Sequence, residues 1–233
     1  MIGFRSLTTR LVITMLVPLS LLLLLSAWIE TRRASQLMIE TGESAAANLG
    51  STVKEELQGV LRSTKIGVEA LALGLQKLPG LSATEAEMVL QETVARFPLL
   101  YGAALAFEPD ENLGPPMAPY VYRSGDTLLT TSLATENYRY WEQDWFTNPL
   151  ADNTAQWTDP YQDDGGGNVR MVTYAAPLEV AGRRAVLTAD LSLEFLSEIA
   201  ESNLLGRPGA VLIFDREGTL ITHPRDEWLL DKR

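Results

Sequence analysis

The sequence predicts an α+β protein, with helix first and antiparallel sheet second. Three observations carry this. A charge-free apolar run occupies residues 11–29. A helical spacing of apolar residues then continues, without proline, from Glu30 to Leu78. Beyond Pro98 that spacing gives way to short alternating segments separated by hairpin turns. The expected arrangement is an N-terminal membrane helix that continues into a long helix, packed on an antiparallel sheet, with the start of a second module behind it.

The run from Leu11 to Ile29 has 19 residues. At about 1.5 Å per residue this matches the roughly 30 Å hydrocarbon core of a bilayer. A signal peptide is the rival reading, but its apolar part is usually about 7–15 residues and ends at a small-residue cleavage site. Here Ser26-Ala27 is followed by Trp28, a residue suited to the membrane interface. Pro18 lies mid-span, where a membrane helix tolerates it. Arg5 and Arg10 precede the span, and Arg32 and Arg33 follow it with Glu30 beside them. That balance, with the short head, favours a cytoplasmic N-terminus and places residues from Glu30 onward outside.

Between Glu30 and Leu78, Leu49, Val53, Leu57, Val60, Thr64, Val68, Leu71 and Leu75 recur at steps of three and four. One continuous helix is expected, although Gly42, Gly50, Gly59, Gly67 and Gly74 fall inside it and each weakens it. A break near Thr41-Gly42 or Gly50 is the alternative. Pro79-Gly80 ends the run. Ser82-Ala83-Thr84-Glu85 then reads as a capping box opening a short amphipathic helix through Ala86, Leu90, Val94 and Phe97.

Strands follow. Tyr101–Phe107 is apolar and small. Tyr120–Tyr122 and Thr127–Ser132 flank the turn Ser124-Gly125-Asp126, and Arg170–Leu178 and Arg184–Leu191 flank Ala181-Gly182. Leu193–Ser202 reads as a helix. Gly209–Phe214 and Thr219–Thr222 read as a further hairpin, giving about five sheet strands in all before it.

Composition excludes several chemistries. There is no Cys, so disulfides, thiolate metal sites and cysteine nucleophiles are absent. The one His, His223, excludes a two-histidine metal site and leaves a single candidate for any His-based catalysis. No metal or other cofactor is expected. Residues after Ile29 hold 17 basic and 30 acidic groups, a net of −13, which does not suit nucleic acid. No nucleophile signature such as G-x-S-x-G occurs, so an anchored hydrolase is disfavoured and the chain is read as non-enzymatic.

Residues 138–193 carry the densest patterning. They contain Asp144-Trp145-Phe146, then Trp157-Thr158-Asp159-Pro160-Tyr161, Asp163-Asp164-Gly165-Gly166-Gly167, Thr173-Tyr174-Ala175-Ala176-Pro177-Leu178 and Ala189-Asp190-Leu191-Ser192-Leu193. In this order and spacing the run resembles the double Cache family of bacterial extracytoplasmic sensor domains, over roughly Glu30 to His223. The resemblance implies PAS-like modules. Residues 1–10 would be a cytoplasmic tail, 11–29 the membrane helix, 30–80 a stalk and dimerisation helix, 81–204 a membrane-distal ligand-binding module, and 205–233 an incomplete proximal module. Gly218–Pro224 looks like the opening hairpin of the latter, so the chain reads as a fragment or a truncated product.

In amino-acid-binding members of that family, an Arg two places before the motif Trp grips the ligand carboxylate, while aromatics and the strand-end Asp serve the ammonium. Carried over by position, the ligand-binding candidates are Gln143, Trp145, Phe146, Tyr161, Asp163 and Asp190. Gln143 stands where the Arg would be, and Phe146 where a Tyr would be. Losing the Arg removes a bidentate carboxylate partner. The retained acid and aromatics suit an amine or another small polar metabolite. Each candidate also has a plain alternative. Trp145 and Trp157 can be core. Tyr161 can be a turn residue, Asp163 part of a flexible loop, Asp190 a helix cap and His223 a surface turn. Asp163–Asn168 lacks the alternating acids and terminal Glu of a calcium loop.

The resemblance implies a small-molecule-sensing input domain anchored in the bacterial inner membrane, homodimeric through the long helix. Its effector would be a PPM-type serine/threonine phosphatase or a histidine kinase, with chemoreceptors and diguanylate cyclases behind. The alternative is an anchored binding protein without its own output.

Overall fold

The computed structural model describes residues 7–110, 112, 114–204, 210–214, 218 and 220–222. By internal contacts the chain divides into Met1–Ser51 and Thr52–Arg233. The first helix, α1, spans Leu7–Leu75 and is unbroken by Pro18 or by its glycines. It carries the apolar stretch long enough to cross a membrane, and none of that stretch is buried. In the first unit its large apolar side chains lie open, as at Leu22, Leu24 and Trp28. Arg32 stacks its guanidinium over the Trp28 ring at 4.5 Å, an aromatic–cationic pair of the sort found at a membrane interface.

In the second unit the apolar stripe of α1 has a different fate. Val53, Val60, Thr64, Val68, Ala72 and Leu75 are buried. The last turn tightens through bonds from Lys77 N to Gly74 O and Leu78 N to Leu75 O before Pro79. Helix α2, Ala83–Arg96, begins at the expected capping box, with Ser82 and Glu85 bonding reciprocally. Its Ala86, Leu90 and Val94, one face at steps of four, are fully buried. Burying a side chain such as Leu90 contributes about 2 kcal/mol. Arg123 closes the other end of α2. Its Nε donates to Leu100 O at 2.8 Å and its guanidinium also donates to Val94 O, which places a cation on the carbonyl end of the helix.

The sheet has seven strands rather than about five. They are β1 (Gly102–Phe107), β2 (Pro119–Ser124), β3 (Thr127–Ser132), β4 (Gln156–Trp157), β5 (Tyr161–Gln162), β6 (Arg170–Val180) and β7 (Arg183–Ser192). The spatial order is β3-β2-β1-β7-β6-β4, with β5 also on β6, and all the pairings are antiparallel. The expected turns are present. Ala181 and Gly182 both have positive φ, the two-residue geometry that matches strand twist. A single turn of 3-10 helix, Tyr140–Glu142, and helix α3, Asp144–Asp152, lie between β3 and β4. Helix α4, Leu193–Ser202, is capped by Ser192, whose hydroxyl accepts from Phe195 N. Asp190 therefore does not cap it. Strands β8 (Ile213–Phe214) and β9 (Leu220–Thr222) pair as a hairpin. His223 and Pro224 lie outside the described residues.

Alternation along the central strands sorts residues onto two faces. Ala103, Leu105, Tyr174, Ala176, Leu187 and Ala189 join α1 and α2 in one core. Ala104, Ala106, Tyr120, Ala175 and Val186 join Tyr140, Trp145 and Phe146 in another. The second face holds the candidate site.

Candidate ligand-binding site

The register of β6 on β7 places Thr173 opposite Asp190. The Thr173 hydroxyl donates to Asp190 Oδ1 at 2.7 Å. Tyr161, from β5, shares a 2.8 Å bond between its hydroxyl and Thr173 Oγ1. With Asp190 ionised, the single Thr173 proton goes to the carboxylate, so Tyr161 donates to Thr173. The Tyr161 oxygen is left facing the cavity as an acceptor.

A second chain closes the other side. Trp145 Nε1 donates to the Tyr138 hydroxyl at 3.1 Å, and Tyr138 donates to Asp163 Oδ1 at 3.5 Å. The Asp163 carboxylate also accepts from Gly165 N and Gly166 N, each at 3.0 Å. It thus clamps the glycine loop. That loop lies directly on the aromatic cluster. A Cβ at Gly165, Gly166 or Gly167 would collide with Tyr138, Tyr120 or Tyr101 respectively. The three glycines permit a close approach of backbone to ring.

These residues enclose a cavity of about 10 Å³, measured as space for a water's centre and lined by Tyr120, Tyr138, Trp145, Tyr161, Asp163, Thr173 and Asp190 among others. Among the described residues no Lys, Arg or His lines it. Asp190 is buried, at 3% exposure. Burial raises its pKa to about 7, the Thr173 bond opposes the rise, the Asp163 charge adds to it, and the Tyr120 hydroxyl beside it opposes it. Burial likewise raises Asp163, against the pull of the Gly165 and Gly166 amides. Burial pushes Tyr101 up to about 12 and Tyr120, Tyr138 and Tyr161 upward as well, so these hydroxyls are neutral. Tyr120 is 2% exposed, and its hydroxyl makes no hydrogen bond of normal geometry. A buried polar group without a well-formed bond costs about 1–3 kcal/mol.

Of the sequence-derived candidates, Trp145, Tyr161, Asp163 and Asp190 converge on this cavity. Gln143 and Phe146 do not line it. Gln143 donates through Nε2 to Tyr138 O at 3.0 Å and faces an outer groove. Phe146 packs edge-on to Tyr140 and Trp145, with ring centroids 5.1 and 5.9 Å away. Sequence reading missed Tyr120, Tyr138 and Thr173. Tyr120 had a signal as an aromatic in an alternating strand, and Tyr138 and Thr173 lie within the patterned stretch without being marked as site residues. The outer groove, about 540 Å³ by the same measure, shares Trp145 and Tyr161 with the cavity as a common wall. On the opposite face of the sheet, α1, α2, β1 and β7 enclose an apolar hollow of about 150 Å³. Among the described residues no group of three His, Cys, Asp or Glu is placed to hold a metal ion.

An antiparallel sheet with α1 and α2 on one face, and with α3 and an aromatic, carboxylate-bearing cavity on the other, is the arrangement of a sensor domain, and α1 carries a stretch long and apolar enough to cross a membrane. Residues 86–198 match the family model described as "Methyl-accepting chemotaxis protein-like, first PDC sensor domain". Among solved structures, the extracellular domain of soHK1S-Z6, a protein assigned as a histidine kinase, has 28% identity and a TM-score of 0.65, covering 77% of this chain and 69% of that one. The ligand-binding domain of the Pseudomonas aeruginosa PAO1 amino acid chemoreceptor PctC, in complex with GABA, has 21% identity and a TM-score of 0.58, covering 79% and 77%. That of the Campylobacter jejuni chemoreceptor Tlp3, in complex with L-valine, has 15% identity and a TM-score of 0.58, covering 80% and 72%. The latter two share the fold. No curated protein sequence matches the chain. The chain thus resembles the Cache-type (PDC) extracellular sensor domains of histidine kinases and chemoreceptors.

Proposed function

We propose that this chain is the small-molecule input region of a bacterial inner-membrane signal transducer, with the cavity at Asp190 as its ligand site. The observation that carries the reading is a buried Asp190 carboxyl group with no cation on the described lining of its cavity, beside a buried Tyr120 hydroxyl that makes no hydrogen bond of normal geometry. Trp145, Tyr161 and Asp190 contact the ligand directly. Asp163 holds the glycine loop over it, Gln143 meets whatever part extends into the outer groove, and Phe146 braces Trp145 from behind. An amine or another small polar metabolite fits a cavity that pairs a buried carboxyl group with neutral hydroxyls. Residues 11–29 lie in the bilayer, and the sensor unit lies outside.

Of the effectors suggested by the sequence, a histidine kinase has the 28%-identical ectodomain in its favour. Ligand state reaches the membrane through α1. A ligand can bias such a switch only by its affinity difference between two states; about a hundredfold preference corresponds to roughly 2.7 kcal/mol. Pairing of α1 with a second copy completes the device. Leu57 packs into the core of its own module, whereas Ile66 and Leu73, seven residues apart, are 60% and 61% exposed and available for pairing.

The test is a thermal-shift screen of small polar compounds on the full chain in nanodiscs. Trp145→Ala and Asp190→Ala should abolish the shift given by the hits while retaining the wild-type circular dichroism. Hits that stabilise both variants as they do the wild type would contradict the assignment.

A further inference from the structure

The apolar hollow between α1, α2, β1 and β7 lies on the far face of the sheet from Asp190, and the proposed function makes no use of it. Its volume is about 150 Å³. An apolar cavity of about that size takes a single six-membered ring such as benzene. Ala103 and Leu187, both buried, form the floor, and α1 supplies a wall with Thr64, Gly67 and Leu71. Ser63, Phe97 and Leu99 are the exposed part of the lining and mark the mouth. Among the described residues no charged side chain lines it.

Gly67 sits in the interior of a helix, where alanine would be favoured by about 1 kcal/mol. No neighbour requires the glycine, since a Cβ there would meet no heavy atom within 4 Å. The bare backbone leaves that wall of the hollow open. The hydroxyls around the space are engaged, with one exception. Ser63 donates to Val60 O at 2.9 Å and Thr93 to Val89 O at 2.7 Å. Thr188 turns its hydroxyl to the opposite face of the sheet, where it accepts from Ala104 N at 2.9 Å. The Thr64 hydroxyl has no hydrogen-bond partner among the described residues, although Thr64 is only 8% exposed. The hollow therefore offers apolar walls and one neutral group that can donate or accept.

We infer that this hollow is a second ligand site, for a compact, uncharged molecule of about one ring's size that carries a single hydroxyl or carbonyl group. The ring lies on Ala103 and Leu187, with its polar group at Thr64. A charged group is refused because nothing on the lining would pair it. A side chain from a second copy is the poorer occupant. Ile66 and Leu73, the exposed residues available for pairing, stand about 100–120° around α1 from Gly67, so helices joined along them leave the hollow to one side. The site is independent of the cavity at Asp190.

Methyl NMR spectra of the full chain in lipid nanodiscs are recorded with p-cresol, with toluene and with benzylamine, a cation of the same size at neutral pH. p-Cresol and toluene should shift the methyls of Leu71, Leu100 and Leu187 saturably, and benzylamine should leave them unmoved. Thr64→Val should weaken p-cresol about fivefold or more, the cost of burying its hydroxyl without a partner, and leave toluene within about twofold. Gly67→Leu, which fills the hollow from its open wall, should abolish both responses while retaining the wild-type circular dichroism.

The inference fails if the three leucines do not respond, or if only Leu22–Leu25 of the membrane run do, which is partition into lipid. Benzylamine binding as tightly as p-cresol would overturn the uncharged ligand. A p-cresol affinity unchanged by Thr64→Val, or a response that survives in folded Gly67→Leu, would overturn the site. Shifts of the same leucines with protein concentration alone would put a second copy in the hollow instead.

Discussion

Asp190 has neighbours that hold it in place but none that neutralises it, and this sets its behaviour with pH. Its pKa is near 7 in the folded protein against an ordinary 3.8. Below about pH 4 it is protonated in both folded and unfolded chains, and its contribution to stability is fully present. Between about pH 4 and 7 the unfolded chain has lost the proton and the folded one keeps it, so the contribution is lost as pH rises through 7. The melting temperature of the full chain should therefore rise as pH falls from 8 to 5, and Asp190→Asn should flatten that rise. A wild-type slope retained in the variant would assign it elsewhere. An ammonium ligand needs the ionised form, so its affinity should decline below pH 7, approaching tenfold per unit at most.

Tyr120 offers an independent check at the same scale. Tyr120→Phe deletes a buried hydroxyl that makes no hydrogen bond of normal geometry, so it should change stability by no more than about 1 kcal/mol, while weakening ligand binding. A clear loss of stability without any effect on binding would make the hydroxyl structural. At the loop, Gly166→Ala should lower stability by about 1–3 kcal/mol, because the added Cβ meets the Tyr120 ring. Chemical denaturation reads both.

Among elements, α2 is held at both ends by side chains far apart in sequence. Ser82→Ala removes half of the capping box and should cost about 1 kcal/mol. Arg123→Ala should cost more, since it leaves the carbonyls of Leu100 and Val94 without their charged donor in a partly buried place. Urea unfolding should rank the two in that order. Along α1, Ile66→Asp should weaken pairing of the full chain without unfolding it. Crosslinking yield in nanodiscs measures this, and an unchanged yield would place the interface elsewhere. Strand β6 shows how the two faces of the sheet meet in adjacent residues. Thr173 belongs to the Asp190 hydrogen-bond chain, and Tyr174, next in sequence, donates to Glu69 of α1 at 2.7 Å.

At the scale of the whole molecule, what the sequence made legible was local. The capping box at Ser82, the turn at Ala181-Gly182 and the membrane run each declare themselves within a few residues. The two-residue strands β4 and β5 do not, because a pair of residues has no period. Helix α3 hides in an aromatic run interrupted by Pro149. The cavity was half legible. Trp145, Tyr161, Asp163 and Asp190 came from the resemblance to double Cache domains, but Tyr138 and Thr173 join them only through folding, one from a loop and the other from mid-strand. The inward turn of Phe146 toward Tyr140 and the side-step of Gln143 to the outer groove are packing outcomes that no spacing expresses.

Hydrogen–deuterium exchange on the full chain, with and without the strongest screening hit, tests the central claim most directly. Binding at Asp190 predicts slowed exchange in peptides covering 138–145, 161–173 and 188–190. Protection confined to 63–71 and 93–100, around the apolar hollow on the other face of the sheet, would place the ligand there and contradict the account.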